Sequence, residues 1–189
     1  MIRVLFVCHG NICRSPMAEF ICKKKIRERG LENFVYTESA ATRYEEIGNP
    51  VYPPAKRKLT EKGITDFTQK RARHMEKSDY PQFDYLIGMD RMNIRNMLRI
   101  LGDDPDGKVH MMMEFARGGR RNEEESSSVW NQVADGWKNS VRKHKSFGDF
   151  SATEAEEVDD PWYTGDFEGV YQQLDVAIDG LLDEIEGAL

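Results

Sequence analysis

The stretch VLFVCHGNICRSP, residues 4–16, decides how this chain folds. Val4–Cys8 is an unbroken apolar run, and such a run followed by a turn is typical of a strand buried on both faces of a parallel sheet. A Gly-Asn turn comes next, and Pro16 suits the first turn of a helix, where a backbone N–H group has no partner to lose. The sequence therefore predicts a strand, a tight loop and a helix N-terminus in immediate succession.

A loop of this kind binds anions, because its backbone N–H groups converge and the helix dipole adds positive charge. Cys8 ends the strand at the rim of that cradle, where the N–H groups and Arg14 favour the thiolate. The planar guanidinium of Arg14 can hold two phosphoryl oxygens, and Ser15 can donate a hydrogen bond to the sulfur. A core cysteine followed by an ordinary turn is the alternative. The joint occurrence of Cys8 and Arg14-Ser15 at a strand-to-helix junction favours a phosphatase.

The motif VCHGNICRSPMAE resembles that of the low-molecular-weight protein tyrosine phosphatases, since residues between and beyond Cys8 and Arg14 match as well. The resemblance extends over most of the chain, apart from a segment after Phe115. It implies two-step hydrolysis of phosphotyrosine or an aryl phosphate through a phosphocysteine, with no metal and no cofactor. It also implies a reversible disulfide between Cys8 and Cys13. The implied catalytic residues are Cys8, Arg14, Ser15 and Asp160, and the implied phosphate-binding residues are His9, Gly10, Asn11, Ile12, Cys13 and Arg14.

Asp160 is singled out by the sequence Asp-Pro-Trp-Tyr at 160–163, which is similar to the family's Asp-Pro followed by aromatic residues. The resemblance implies that Asp160 is the general acid, because a tyrosyl oxygen leaves far better when it is protonated as it departs. Asp159 is the rival acid, and a plain turn before the last helix is the remaining alternative. The resemblance also implies that aromatic side chains stack on the substrate ring. These are Tyr44, Trp162 and Tyr163.

Three residues are implied as supports of the phosphate loop: Asn11, Ser39 and His74. In the family the loop asparagine has a left-handed backbone, which asparagine tolerates better than most residues. The resemblance implies that Ser39 supports the Asn11 region and that His74 bonds the asparagine itself. A capping role for Ser39 is an equal alternative, and a lone histidine is more often structural. Tyr44 is equally compatible with an ordinary exposed loop tyrosine.

Strands alternate with helices along the chain, which predicts an α/β fold: a doubly wound, four-stranded parallel sheet with helices on both faces. Ligands of such sheets bind at the carboxyl ends of the strands, where the Cys8 loop lies. The predicted strands are Val4–Cys8, Phe34–Ala40, Phe83–Met89 and Lys108–Met113. The predicted helices are Pro16–Arg29, Ala55–Lys62, one that follows Asp90, and Asp166–Leu189.

The length of 189 residues suits a single domain, residues 1–189. The net charge of −6 provides no basic field for nucleic acid. Three cysteines give neither a disulfide framework nor paired zinc spacing, so we expect a reducing, cytoplasmic setting. The sequence predicts no signal peptide and no membrane span.

The segment at about 117–157 departs from the family, whose members usually have a short connection there. Its first part is polar, and a second part places two tryptophans at helical spacing. A helix packed on the domain surface is one interpretation. A lid or a protein-binding element beside the active site is the other, because the segment leads directly into Asp160.

Two further function classes were weighed against the phosphatase. Arsenate reductases share the fold and loop, but their thioredoxin-coupled members need further cysteines, and none follows Cys22. A catalytically silent phosphate-binding module would not need Cys8, Arg14 and Asp160 together. Among the phosphatases, some bacterial relatives that cleave phosphoarginine carry threonine at the position of Ile12, so isoleucine favours an aryl phosphate.

Overall fold

The computed structural model of the protein describes residues 1–117 and 157–189. Its centre is a parallel sheet with the strand order β2–β1–β3–β4. The strands are β1 (Ile2–Cys8), β2 (Val35–Ala41), β3 (Tyr85–Gly88) and β4 (Val109–Met111). The predicted four-stranded parallel sheet is therefore confirmed. The fourth strand is shorter than predicted, because a 3₁₀ turn begins at Met112.

The helices lie on both faces of this sheet, as the sequence predicts. They are α1 (Arg14–Arg29), α2 (Pro53–Glu61), α3 (Arg91–Leu101), α4 (Pro161–Thr164) and α5 (Phe167–Gly187), with 3₁₀ turns at Lys77–Gln82 and Met112–Arg117. Helix α1 begins two residues before the predicted start at Pro16, and the Met17 N–H group donates to the Cys13 carbonyl oxygen. Arg14 and Ser15 consequently belong to the first helical turn.

Strand β1 explains why its sequence is apolar without interruption. Val4 and Phe6 face the layer formed by α1, α2 and α5, whereas Leu5 and Val7 face the layer that contains α3. All four side chains are fully buried. A strand covered on both faces has no solvent side on which polar residues could alternate with apolar ones.

The carboxyl ends of the strands bring the loops of the site to one edge. Cys8 is paired with Ala41 at the ends of β1 and β2, and Val7 is paired with Gly88 at the end of β3. Since β1 lies between β2 and β3, its loop opens at the point where the strand order reverses, which is where open α/β sheets bind ligands.

The predicted polar loop and tryptophan-bearing helix of the segment at about 117–157 fall on residues outside the described ranges. Among the described helices, none is long and apolar enough to cross a membrane.

Helix α5 passes very close to the 3₁₀ turn after β4. A Cβ atom at Gly180 would lie 2.0 Å from the carbonyl oxygen of Phe115, a distance that van der Waals repulsion forbids. Glycine at this position therefore allows α5 to cover the sheet.

We expect Gly180→Ala to lower the free energy of unfolding by about 1–3 kcal/mol, because the methyl group must push two backbone segments apart. Urea denaturation measures the change. Gly187→Ala is the matched control, since nothing lies within 4 Å of its Cβ position at the end of the same helix. Equal stability of the two variants would contradict the close packing of α5.

Candidate active site

The loop between β1 and α1 wraps around the sulfur of Cys8. Asn11 is the one non-glycine residue with positive φ in the described parts of the chain, at 57°. This left-handed conformation, which asparagine tolerates, turns the Asn11 N–H group onto the Cys8 Sγ at 3.3 Å. The loop geometry thus gives the sulfur a backbone donor of the kind that stabilises a thiolate.

Ser15 provides a second contact to the nucleophile from the first turn of α1. Its Oγ lies 3.1 Å from the Cys8 Sγ and accepts a hydrogen bond from the Asn11 Nδ2 at 2.9 Å. Because the Ser15 oxygen accepts from the Asn11 amide, the Ser15 hydroxyl can donate its own proton to the sulfur. The other acceptor within reach is the Ala40 carbonyl oxygen at 3.3 Å. Ser15 is fully buried, so its hydroxyl does not compete with solvent for these partners.

The Asn11 side chain connects the loop to two other parts of the sheet. Its Nδ2 also donates to the Ser39 Oγ at 2.8 Å, and its Oδ1 accepts from the backbone N–H group of Arg73 at 3.1 Å. The resemblance implies His74 as the donor to Asn11, but the structure shows the neighbouring backbone in that position. The His74 ring instead stacks on Tyr44, with the ring centroids 3.8 Å apart and the planes 7° from parallel.

A buried carboxylate that the sequence analysis missed completes this network. Glu19, on the face of α1 that also carries Ser15, accepts from the Ser39 Oγ at 2.6 Å and pairs with the Lys70 ammonium at 2.8 Å. Burial lowers the pKa of Lys70 from its ordinary value, although Glu19 opposes that change. Only the i, i+4 spacing of Ser15 and Glu19 could have indicated the role, because nothing else sets this glutamate apart from those on the helix surface.

Arg14 lies buried between two carboxylates. Its Nη1 donates to the Asp90 Oδ2 at 2.6 Å, and its Nη2 donates to the Asp160 Oδ2 at 2.7 Å. Burial of Arg14 opposes its charge, but the negative charges of Cys8, Asp90 and Asp160 raise its pKa above the ordinary value. The guanidinium is therefore a permanent cation beside the sulfur.

Asp90 has a second role, in addition to its contact with Arg14. Its Oδ1 accepts from the Asn93 N–H group at 2.6 Å and so caps α3. One carboxylate thus fixes a helix N-terminus with one oxygen and the arginine with the other.

Asp160 and Asp159 point to different sides of the chain. While the Oδ2 of Asp160 contacts Arg14, its Oδ1 accepts from the Trp162 N–H group at 3.1 Å and caps the short helix α4, which starts at Pro161. Asp159 is exposed and bonds Gln173 of α5. Of the two carboxylates, Asp160 is the one that the structure brings to Arg14.

The predicted aromatic residues are exposed enough to meet a ligand. The exposed fractions are 73% for Tyr44, 56% for Trp162 and 85% for Tyr163. Trp162 packs on Tyr52 with ring centroids 5.1 Å apart, and the Tyr52 N–H group donates to the Ile12 carbonyl oxygen at 2.8 Å. Tyr52, which the sequence analysis missed, therefore connects the loop that carries Asp160 to the phosphate loop. Residues 157–160 form the first of these, which we call the acid loop after the expected role of Asp160.

The other two cysteines differ from Cys8 in their surroundings. Burial raises the pKa of the Cys13 thiol, and a charge on Cys8 raises it further. Burial also raises the pKa of Cys22 to about 12. In both cysteines burial outweighs the nearby positive charges, which are Arg14 for Cys13 and Lys23, Arg29 and Lys25 for Cys22. Within residues 1–117 and 157–189, no group of His, Cys, Asp and Glu side chains is arranged to bind a metal ion.

Comparison with known protein families agrees with this geometry. The family model for low molecular weight phosphotyrosine protein phosphatase matches residues 3–126, which is more than half of the chain. The low molecular weight protein-tyrosine-phosphatase YfkJ of Bacillus subtilis is 31% identical over 186 residues, covering 98% of this chain and 97% of the relative. A fission yeast relative, the low molecular weight phosphotyrosine protein phosphatase of Schizosaccharomyces pombe, is 40% identical over 62% of this chain and 75% of its own length.

Solved structures show the same similarity in three dimensions. The crystal structure of Bacillus subtilis YfkJ superposes with a TM-score of 0.75 and 31% identity, covering 100% of this chain and 96% of the other. A low molecular weight protein tyrosine phosphatase from Streptococcus pyogenes gives a TM-score of 0.69 at 30% identity, covering 97% and 92%.

We expect Ser39→Ala to lower the free energy of unfolding by about 1–3 kcal/mol, because Glu19 and Asn11 each lose a buried partner. Catalytic activity should fall as well, since Asn11 shapes the loop. Thr37→Val is the matched control: Thr37 is buried on the same face of β2, and its hydroxyl has no hydrogen-bond partner among the described residues. Urea denaturation and phosphatase assays on both variants measure the difference. Equal losses would refute the support of the loop by the hydrogen bonds of Ser39.

Proposed function

This chain belongs to the low molecular weight phosphotyrosine protein phosphatase family and is a protein-tyrosine phosphatase, and we propose that it hydrolyses phosphotyrosine and aryl phosphates through a phosphocysteine on Cys8. The observation that carries the proposal is the convergence of Cys8, Arg14 and Asp160 at the end of β1. Cys8 and Arg14 come from the β1–loop–α1 unit, and Asp160 comes from the loop before α4, far along the chain. The chemistry needs a nucleophile, a cation for phosphoryl oxygens and a proton donor.

In the first step, the Cys8 thiolate attacks phosphorus opposite the aryl oxygen. The S–P bond forms as the P–O bond breaks, and the phosphoryl charge is stabilised by the loop N–H groups and the Arg14 guanidinium. Asp160 gives its proton to the departing oxygen, so the product leaves as a phenol. No base for Cys8 is needed, because contacts with Asn11 and Ser15 favour a sulfur that is already ionised.

In the second step, water attacks the phosphocysteine. The Asp160 carboxylate accepts a proton from that water, and phosphate leaves as the S–P bond breaks. The electron pair returns to the Cys8 sulfur, where the Ser15 hydroxyl and the Asn11 N–H group again stabilise the thiolate. The same two donors thus serve the sulfur as nucleophile and as leaving group.

The contact between Asp160 and Arg14 implies an exchange of partners when substrate binds. A phosphoryl dianion needs the Nη2 position that the Asp160 carboxylate holds at 2.7 Å. Because Asp90 already holds Nη1, the dianion competes with the Asp160 carboxylate for Nη2, and we infer that it displaces this carboxylate. Substrate binding therefore releases Asp160 for its task as the acid.

The exposed aromatic residues support an aryl substrate at the surface of a protein. Tyr44, Trp162 and Tyr163 each expose enough of the ring to contact a phenyl group, and Tyr44 does so with the face that is not stacked on His74. We further propose a cytoplasmic location, which the three free cysteines support.

We expect Cys8→Ser to abolish hydrolysis of para-nitrophenyl phosphate, and Asp160→Asn to lower kcat by about 10²–10⁴-fold, as for the loss of a general acid. Asp159→Asn should keep most of the activity, since its amide oxygen can still accept from Gln173. Steady-state kinetics of the three variants without added metal test the assignment. If Asp159→Asn rather than Asp160→Asn loses activity, the acid is Asp159.

We also expect Asp160→Asn to bind inorganic phosphate several-fold more tightly than the wild type near neutral pH. The reason is that the carboxylate no longer competes for the Arg14 Nη2, whereas the guanidinium is retained. Competitive inhibition constants for phosphate measure the change, and Asp159→Asn is the control because Asp159 contacts Gln173 instead. Unchanged or weaker binding in Asp160→Asn would exclude the exchange of partners.

A further inference from the structure

Gln173 of α5 holds the residue before the proposed acid by two hydrogen bonds. Its Oε1 accepts from the Asp159 N–H group at 3.1 Å, and its Nε2 donates to the Asp159 Oδ2 at 3.1 Å. One amide group thus binds both the backbone and the side chain of Asp159. This pairing, which we call the Gln173 clamp, joins the acid loop to a residue of α5 that lies 14 positions further along the chain.

The clamp determines which way Asp160 faces. The backbone at Asp160 is extended, with φ −90° and ψ 105°, and neighbouring side chains on an extended chain point to opposite sides. When Gln173 draws Asp159 toward α5, Asp160 is directed to the other side, where Arg14 lies. If the chain were shifted by one position along the loop, Asp159 would face the site instead of Asp160.

The other contacts of the acid loop lie on either side of the clamp. Val158 is buried, and its N–H group donates to the Met89 carbonyl oxygen at 2.9 Å, which fixes the loop one residue before Asp159. Arg14 contacts both the Asp160 carboxylate and the Val158 carbonyl oxygen, the latter at 3.4 Å. These contacts change when a phosphoryl group takes the guanidinium. The Gln173 clamp touches no phosphate-binding residue, and its helix is anchored beside it by the fully buried Leu174.

We propose that Gln173 is a positioning residue for catalysis, which keeps Asp160 directed at the leaving oxygen after Arg14 has released it. This inference rests on the proposed role of Asp160 as the general acid. Gln173 does not touch the reacting atoms. It acts through Asp159, whose carboxylate serves as an anchor for the loop and not as an acid.

The test compares Gln173→Met with Gln172→Met. Methionine is similar to glutamine in length and helix preference but cannot make the hydrogen bonds. Gln172 is exposed and donates to Glu168 in the same helix, so its replacement controls for a surface change on α5. We expect Gln173→Met to lower kcat for para-nitrophenyl phosphate by about 5–30-fold through the two lost hydrogen bonds, with KM little changed. Gln172→Met should resemble the wild type.

The leaving group separates positioning of the acid from a general effect on the fold. Across a series of aryl phosphates, the loss in Gln173→Met should be largest for weakly acidic phenols and should shrink for strongly acidic ones, which leave without a proton. In an Asp160→Asn background, Gln173→Met should cause no further loss, because the acid that it orients is already absent.

Two results would overturn the inference while leaving the proposed function intact. The first is equal activity of Gln173→Met and Gln172→Met. The second is a uniform loss across all leaving groups that persists in the Asp160→Asn background, which is the behaviour of a purely structural residue. Full activity of Asp160→Asn alone is distinguishable from both results. It would show that Asp160 is not the general acid, and Gln173 would then have no acid to position.

Discussion

The buried charge of Arg14 is the interaction on which the rest of the site depends. A guanidinium that is only 3% exposed needs anionic partners, because an unpaired charge in the interior is very costly. The chain supplies them from two distant places, Asp90 after β3 and Asp160 after the long segment that follows β4. The same cation that would hold phosphate therefore joins three separate pieces of chain.

The nucleophile has a second support that does not use Arg14. Asn11 reaches Ser15 and Ser39, and Ser39 continues to the buried pair of Glu19 and Lys70. Glu19 also pairs with Lys23, so two ammonium groups hold this carboxylate beneath the loop. None of these contacts involves Arg14, so this support of the loop does not depend on which partners Arg14 has.

The sequence predicted the parts of this site that are local in the chain. Cys8, the loop, Arg14 and Ser15 lie within one strand–loop–helix unit, where backbone preferences and spacing determine the geometry. The contacts that were missed join residues far apart, such as Asn11 with Arg73 or Arg14 with Asp90, and they depend on how the strands align. The donor to Asn11 shows the difficulty: a backbone N–H group has no signature in the sequence, and the family resemblance pointed to the side chain of the adjacent His74.

The two supports divide the work in a way that suits a two-step reaction. Cys8 must meet the same donors when it attacks and when it leaves, and its surroundings are built from buried, fully paired groups. In the proposed mechanism Asp160 instead exchanges the arginine for a leaving oxygen and then for water, and it is partly exposed on a short loop. A loop that moves its acid between partners needs a reference that does not take part in the exchange. Helix α5, packed on the sheet through its apolar face and joined to the loop by Gln173, has that property.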